Sequence, residues 1–332
     1  MYEAFYKLRG KPFQLNPDPR FFYGSKGHRR AMAYLEYGLN QGEGFIVITG
    51  EVGAGKTTLV RNLFRKLESE NVVAAQLVST QLDADDLLSS VAGAFGLAFE
   101  GVAKAGLLKK LEAFLLACNN QGKRALLIVD EAQNLTPRAV EELRMLSNFQ
   151  SGEKSLLQSF LLGQPEFRYT LQSEDMQQLR QRVTASYHLG PMDLDETRSY
   201  IEHRLKMVGW VSDPAFDDST FAAIHQFTGG IPRRINTLCD RLLLLGFLEE
   251  RHQLTADSVQ EVSDDLLSEN TVPASAFKKN KNGAAIGMQA DTAVLENLEK
   301  RISDMEKSVD RMLTLSRKIL QATVERNQDA DS

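Results

Sequence analysis

The sequence predicts an α/β fold: a parallel five-stranded sheet carrying a phosphate-binding loop, followed by a small helical domain. Three observations carry this reading. Short β-rich runs alternate with helical stretches between residues 45 and 189, a glycine-rich loop ending Gly-Lys-Thr follows the first run, and the β-rich runs stop after Met192. Strands that alternate with helices pair in parallel, with helices covering both faces of the sheet.

The elements follow in order. Nine aromatic residues fall within the first 37 positions (Tyr2, Phe5, Tyr6, Phe13, Phe21, Phe22, Tyr23, Tyr34 and Tyr37), while Pro12, Pro17 and Pro19 interrupt any helix there. This stretch reads as an aromatic-anchored loop, and a helix is expected over 27–39. Strands are expected at Phe45–Thr49, Val72–Val78, Ala125–Val129, Leu156–Leu162 and Ala185–Leu189, separated by helices near 56–69, 84–95, 106–120 and 137–148. Asp193 is placed to cap the next helix, with Glu196 completing a loose capping box. Further helices are expected at 216–227, 232–249 and 255–267, giving an all-helical unit. Residues 269–290 are rich in Asn, Lys and Gly and read as a flexible linker. Beyond it, Leu295, Leu298, Ile302, Met305, Val309, Met312 and Ile319 repeat in steps of three and four, interrupted at Ser316. That is a coiled-coil seam, or a single helix docking on the body. The division is therefore 1–192 for the α/β domain with its aromatic leader, 193–268 for the all-helical domain, 269–290 for the linker and 291–326 for the tail.

Composition excludes several classes. The 332 residues are 42% apolar and 25% charged, ordinary for a globular chain, with a net charge of −5. That balance argues against a dedicated nucleic-acid binder. Cys118 and Cys239 lie far apart with no CxxC, so neither a zinc site nor a disulfide framework is expected. The first twenty residues lack an apolar signal region, and the longest apolar stretch, 242–248, falls far short of the roughly 18–20 residues that span a bilayer. The chain reads as soluble and cytoplasmic, with no transmembrane span.

Chemistry concentrates in two places. Gly50-Glu51-Val52-Gly53-Ala54-Gly55-Lys56-Thr57 matches G-x-x-x-x-G-K-[ST], and Thr58 follows it. Glycines let the backbone wrap a polyphosphate, so that its N–H groups and the helix N-terminus face the anion. Lys56 is expected to reach the β- and γ-phosphates, and the Thr57 hydroxyl to hold Mg²⁺. Leu126-Leu127-Ile128-Val129-Asp130-Glu131 then delivers acids at the C-terminal end of a buried strand, where parallel sheets bind ligands. Asp130 would support Mg²⁺, and Glu131 would deprotonate the attacking water. ATP is expected rather than GTP, because no Asn-Lys-x-Asp guanine motif is present.

These residues make the chain recognisable. With Tyr2-Glu3-Ala4-Phe5-Tyr6, Lys11-Pro12-Phe13, Pro17-Asp18-Pro19-Arg20-Phe21-Phe22-Tyr23, His28, Tyr37-Gly38-Leu39 and Gly44 through Thr58, residues 1–268 resemble the AAA+ ATPases of the ExeA (general secretion pathway protein A) type. Within that type they look most like the secretion ATPases of PEP-CTERM/exosortase (XrtA) exopolysaccharide loci. The resemblance implies an AAA+ P-loop NTPase core with a helical lid. It implies that Gln164, in Leu162-Gly163-Gln164-Pro165-Glu166, is the sensor-1 group near the γ-phosphate. Leu179-Arg180-Gln181-Arg182-Val183 would carry an arginine finger acting on a neighbouring subunit, Arg182 being the better candidate and Arg180 the runner-up. Such a finger requires a homo-oligomer. Gly229-Gly230-Ile231-Pro232-Arg233-Arg234 looks like the sensor-2 motif, with Arg233 as the phosphate contact. The aromatic leader would line the adenine side.

ExeA itself continues into a transmembrane segment and a periplasmic peptidoglycan-binding domain. Here a linker and heptads are expected instead, so direct cell-wall binding does not carry over. Envelope or polysaccharide-assembly proteins are the implied partners, reached through the tail, with any inner-membrane contact made through them. Two other classes stay open: a DNA-associated helper of the transposition type, and a nucleotide-gated scaffold with little turnover.

Overall fold

A computed structural model describes residues 1–16, 18–67, 71–78 and 83–270. The tail read over 291–326, and all of the linker beyond Asn270, lie outside the described residues. Five strands form the central sheet: β1 (Phe45–Gly50), β2 (Val72–Val78), β3 (Arg124–Asp130), β4 (Leu157–Gly163) and β5 (Val183–Leu189). Their spatial order is β2-β3-β4-β1-β5 and every pairing is parallel. In register, Ile48 of β1 lies between Leu162 of β4 and Tyr187 of β5.

The helices of ten or more residues are α1 (Lys26–Gln41), α2 (Lys56–Leu67), α3 (Ala84–Ala94), α4 (Lys104–Asn120) and α5 (Pro137–Leu146), then the lid helices α6 (Leu194–Met207), α7 (Asp218–Thr228), α8 (Pro232–Leu248) and α9 (Ala256–Asn270). Strands β1 and β4 are buried along their whole length, the signature of a sheet covered on both sides. Successive side chains divide between the two faces. Phe45, Val47, Leu127, Val129 and Leu161 pack with α3, α4 and α5, whereas Ile46, Ile48, Leu126, Ile128 and Phe160 pack with α1 and α2.

Three details differ from the sequence expectation. The aromatic leader contains one helical turn, Tyr2–Phe5. Its residues Tyr2, Tyr6, Phe13 and Phe21 bury into the core built by the lid helices rather than against the sheet. Tyr2 Oη donates to Asp240 at 2.5 Å and Tyr6 Oη to the Arg251 carbonyl at 2.9 Å, which fastens the leader to α8 and the turn after it. The lid is not wholly helical, because Ala215–Phe216 pairs with Gln253–Leu254 in a short parallel bridge. Asp193 does cap α6, accepting Glu196 N–H at 2.8 Å, but the Glu196 carboxylate does not complete a capping box. It accepts the Lys26 N–H at 2.6 Å instead, joining the start of α6 to the start of α1. A neighbouring unpaired helix-terminal donor has taken the acceptor that a local box would use. Cys118 and Cys239 are free and buried. Among the described residues, no helix is long and apolar enough to cross a membrane.

Candidate nucleotide site

Strands β1, β3 and β4 end side by side, so residues 50–57, Asp130–Glu131 and Gln164 meet at one edge of the sheet. The loop after β1 turns directly into α2 at Lys56, which aims the first N–H groups of that helix at the mouth of the cleft. Lys56 is buried, and its Nζ donates to the carbonyls of Gly50 at 2.7 Å and Glu51 at 3.1 Å. Burial pulls its pKa below the usual lysine value, opposed by the nearby carboxylates of Glu131, Asp130, Glu51 and Glu166.

Thr57 Oγ1 donates to Asp130 Oδ2 at 3.0 Å, and the Glu131 N–H donates to Asp130 Oδ1 at 3.0 Å. Burial raises the Asp130 pKa against those two donors. A buried carboxylate beside a hydroxyl offers a cation two hard oxygens. Among the described residues, no group of three or more His, Cys, Asp or Glu converges as a metal cluster. The Thr57 and Asp130 oxygens are ligands of the kind Mg²⁺ prefers.

Glu131 takes a left-handed backbone conformation, φ 56°, immediately after β3. Its Oε2 accepts Gln133 Nε2 at 2.5 Å and Gln164 Nε2 at 3.1 Å, while Gln133 Oε1 accepts the Gln164 N–H at 2.9 Å. Burial pushes the Glu131 carboxyl up, but the two amides and the Lys56 charge outweigh it and hold the group below the usual carboxylate range. It is therefore ionised at neutral pH. Gln133 was not singled out in the sequence; the only signal for it is its place two residues after the acid.

The lid closes over the loop. Arg233, at the start of α8, donates its backbone N–H to the Gly53 carbonyl at 3.2 Å, and its side-chain stem lies against Gly53. A Cβ on Gly53, where φ is +82°, would stand 2.4 Å from Arg233 Cβ. The cleft holds about 360 Å³ and is lined by Val52, Gly53, Gly55, Lys56, Thr57, Thr58, Glu131 and Arg233 on the loop and lid side. Its far wall comprises Phe21, Phe22 and Tyr23 of the leader, with Tyr200, Arg204 and Asn236 of the lid. Arg204 is buried there; its guanidinium donates to the Pro12 carbonyl at 2.6 Å and to Tyr200 Oη at 2.7 Å. Only part of the aromatic leader thus reaches the cleft.

Neither finger candidate lines it. Arg182, just before β5, donates to Ser147 Oγ at 2.7 Å, and Arg180 donates to the Leu171 carbonyl at 2.8 Å.

Residues 39–171 match the AAA domain family. General secretion pathway protein A of Aeromonas hydrophila is 41% identical over 255 residues, which cover 76% of this chain and 46% of that protein, so the chain spans less than half of its length. Among solved structures, the ORC2 protein of Aeropyrum pernix, in ADPNP–ADP complexes, superposes with a TM-score of 0.59 at 18% identity, over 77% of this chain and 71% of its own. Cdc6p from Pyrobaculum aerophilum gives 0.60 at 15%, over 76% and 70%. At these identities the structures speak for the fold alone. With its sheet order, loop and lid, the chain is an AAA+ P-loop protein that carries an AAA domain similar to that of general secretion pathway protein A.

Proposed function

We propose that this chain binds ATP with Mg²⁺ and hydrolyses it, and that the cycle drives or regulates assembly of an envelope secretion or exopolysaccharide apparatus. One observation supports the chemistry: Lys56, Thr57 and Glu131 line one cleft, with Asp130 hydrogen-bonded to Thr57 and Gln164 to Glu131 directly beside it. The loop N–H groups and Lys56 bind the phosphates, with Lys56 leaving the Gly50 and Glu51 carbonyls to do so. Thr57 and Asp130 hold the cation, which when bound neutralises charge on the phosphate oxygens. Both amides occupy Glu131 Oε2, so Oε1 is the oxygen placed to take a proton from water. Gln164 contacts the γ-phosphate side, Arg233 brings the lid onto the phosphates, and Arg182 completes the site of a neighbouring copy.

The client rests on similarity to general secretion pathway protein A, and the PEP-CTERM subfamily is the finer proposal. Turnover of ATP by the purified chain with Mg²⁺, measured across protein concentration, tests the enzyme. Cooperative activation supports a finger supplied by a second copy, whereas flat, negligible turnover supports a nucleotide-gated scaffold. Neighbouring exosortase and polysaccharide-synthesis genes would support the client.

A further inference from the structure

Asn236 of α8 is 7% exposed and lines the cleft, and no step of the phosphate chemistry employs its side chain. It ends a chain of hydrogen bonds between buried side chains of the lid. Arg204 Nη1 stands 2.7 Å from Tyr200 Oη, which stands 2.8 Å from the Asn236 amide. A guanidinium has no acceptor, so Arg204 donates and the phenol oxygen accepts. Burial raises the Tyr200 pKa against the Arg204 charge, so the phenol keeps its single proton and passes it onward. The amide atom that receives it is the carbonyl oxygen, Oδ1. Nδ2 is thereby left as a donor turned away from Tyr200. Among the described residues Nδ2 has no hydrogen-bond partner, and it is not one of the unpaired polar atoms sealed from solvent, which are Ser159 Oγ, His203 Nε2 and Ser263 Oγ. The head of the chain is fixed as well. Arg204 also donates to the carbonyls of Pro12 at 2.6 Å and Gln14 at 3.3 Å, and its guanidinium lies 5.0 Å from the centre of the Phe21 ring.

Arg233, which rests on Gly53 of the phosphate loop, stands three residues before Asn236 on α8. The two therefore share a face of the helix, about 4.5 Å apart along its axis. Arg233 meets the loop; one turn on, Asn236 meets the wall that Tyr200 and Arg204 form with Phe21, Phe22 and Tyr23. With the phosphates on the loop N–H groups, that wall is the side left for the sugar and base. We propose that Asn236 binds the nucleoside half of the nucleotide, its Nδ2 donating to a sugar oxygen or a ring nitrogen, with Tyr200 and Arg204 as positioning residues that hold the amide in its donating orientation. A flipped amide would present Oδ1 to those acceptors and set its own NH₂ against the Tyr200 proton. The inference rests on the nucleotide-binding reading of the site.

ADP carries the nucleoside, whereas tripolyphosphate offers the loop an anion alone, so the ratio of their affinities reads the nucleoside contact. Asn236→Leu removes the amide while keeping the branching of the side chain. Asn236→Asp keeps an acceptor for Tyr200 and loses only the donor; Tyr200 and Arg204 favour that carboxyl in its ionised form. Calorimetric titration should find the ADP-to-tripolyphosphate ratio about tenfold lower in Asn236→Leu than in the wild type, or ~1.4 kcal/mol. Asn236→Asp should lower it at least as far, because a carboxylate oxygen then faces the nucleoside acceptor. Partial unfolding lowers both affinities by one factor and leaves the ratio where it was. A ratio unchanged in Asn236→Leu overturns the proposal. One that falls in Asn236→Leu but not in Asn236→Asp also overturns it, since the amide would then only prop the wall. Both results leave the nucleotide reading intact, whereas a wild-type chain that binds neither ligand overturns both.

Discussion

Gln164 places its side-chain Nε2 3.1 Å from Glu131 Oε2, joining the C-terminal ends of two neighbouring strands through one hydrogen bond. A glutamine at position 131 could still accept from Gln164 and Gln133 through its amide oxygen. It would present an NH₂ where Oε1 stands, which cannot take a proton. Glu131→Gln should therefore fold and bind ATP as the wild type does, with turnover reduced by about 10²–10⁴-fold, the range of general-base catalysis. Steady-state phosphate release alongside ATP titration decides this, and robust hydrolysis by Glu131→Gln removes the base assignment.

Lys56→Ala removes the cation and both carbonyl contacts from inside the loop. Loss of ATP binding is expected together with loss of turnover, and a calorimetric titration that still finds wild-type affinity would contradict the placement of Lys56 on the phosphates.

Gln133→Ala takes one donor from Glu131 and the acceptor from the Gln164 N–H. Since these donors hold the carboxyl below its usual range, their loss raises its pKa, and the acid limb of the kcat profile should move to higher pH. At neutral pH, kcat should fall about tenfold, the loss of one charge-assisted hydrogen bond, with ATP affinity unchanged. An unmoved profile would show that Gln133 only fills space.

Much of this site was legible in the sequence because its parts are local. A run of apolar residues ending in Asp130-Glu131 says both where a buried strand lies and which end carries the chemistry. The loop 50–57 carries its own conformational demand in its glycines. Gln133 was not legible, since its reach depends on Glu131 turning the chain at φ 56° immediately after β3. The leader's aromatics declared that they would be buried, but nothing local says against which core. Tyr2 and Tyr6 find theirs among lid helices more than 200 residues later. The one-sided cap at Asp193 shows the same limit, as Glu196 answers a donor from α1 that no local pattern contains.

Arg182 sits at the start of β5, away from the chain's own cleft, bound to Ser147 Oγ. If it acts on a neighbouring copy, Arg182→Ala should bind ATP normally and lose turnover by about 10³-fold. Mixing Arg182→Ala with Glu131→Gln should then restore activity, because each variant supplies what the other lacks across a shared interface. Mixtures that stay inactive, or an Arg180→Ala variant that behaves this way instead, would move the assignment.

Gly53 separates two demands that one substitution makes collide. Its φ of +82° is strained for any residue with a Cβ, and that Cβ would meet Arg233 Cβ at 2.4 Å. Gly53→Ala should therefore lower stability by about 1–2 kcal/mol and push the start of α8 off the loop, breaking the Arg233 N–H bond to the Gly53 carbonyl. The clash is between two Cβ atoms, so shortening Arg233 to alanine leaves it in place. Arg233→Gly removes it. In a Gly53→Ala background, Arg233→Gly should recover part of the lost thermal stability, whereas Arg233→Ala should recover none. Neither double variant should recover nucleotide affinity, since the guanidinium is gone from both. Equal recovery by the two would mean that the lid is held off by the arginine's length or charge, and that the backbone contact between loop and lid is incidental.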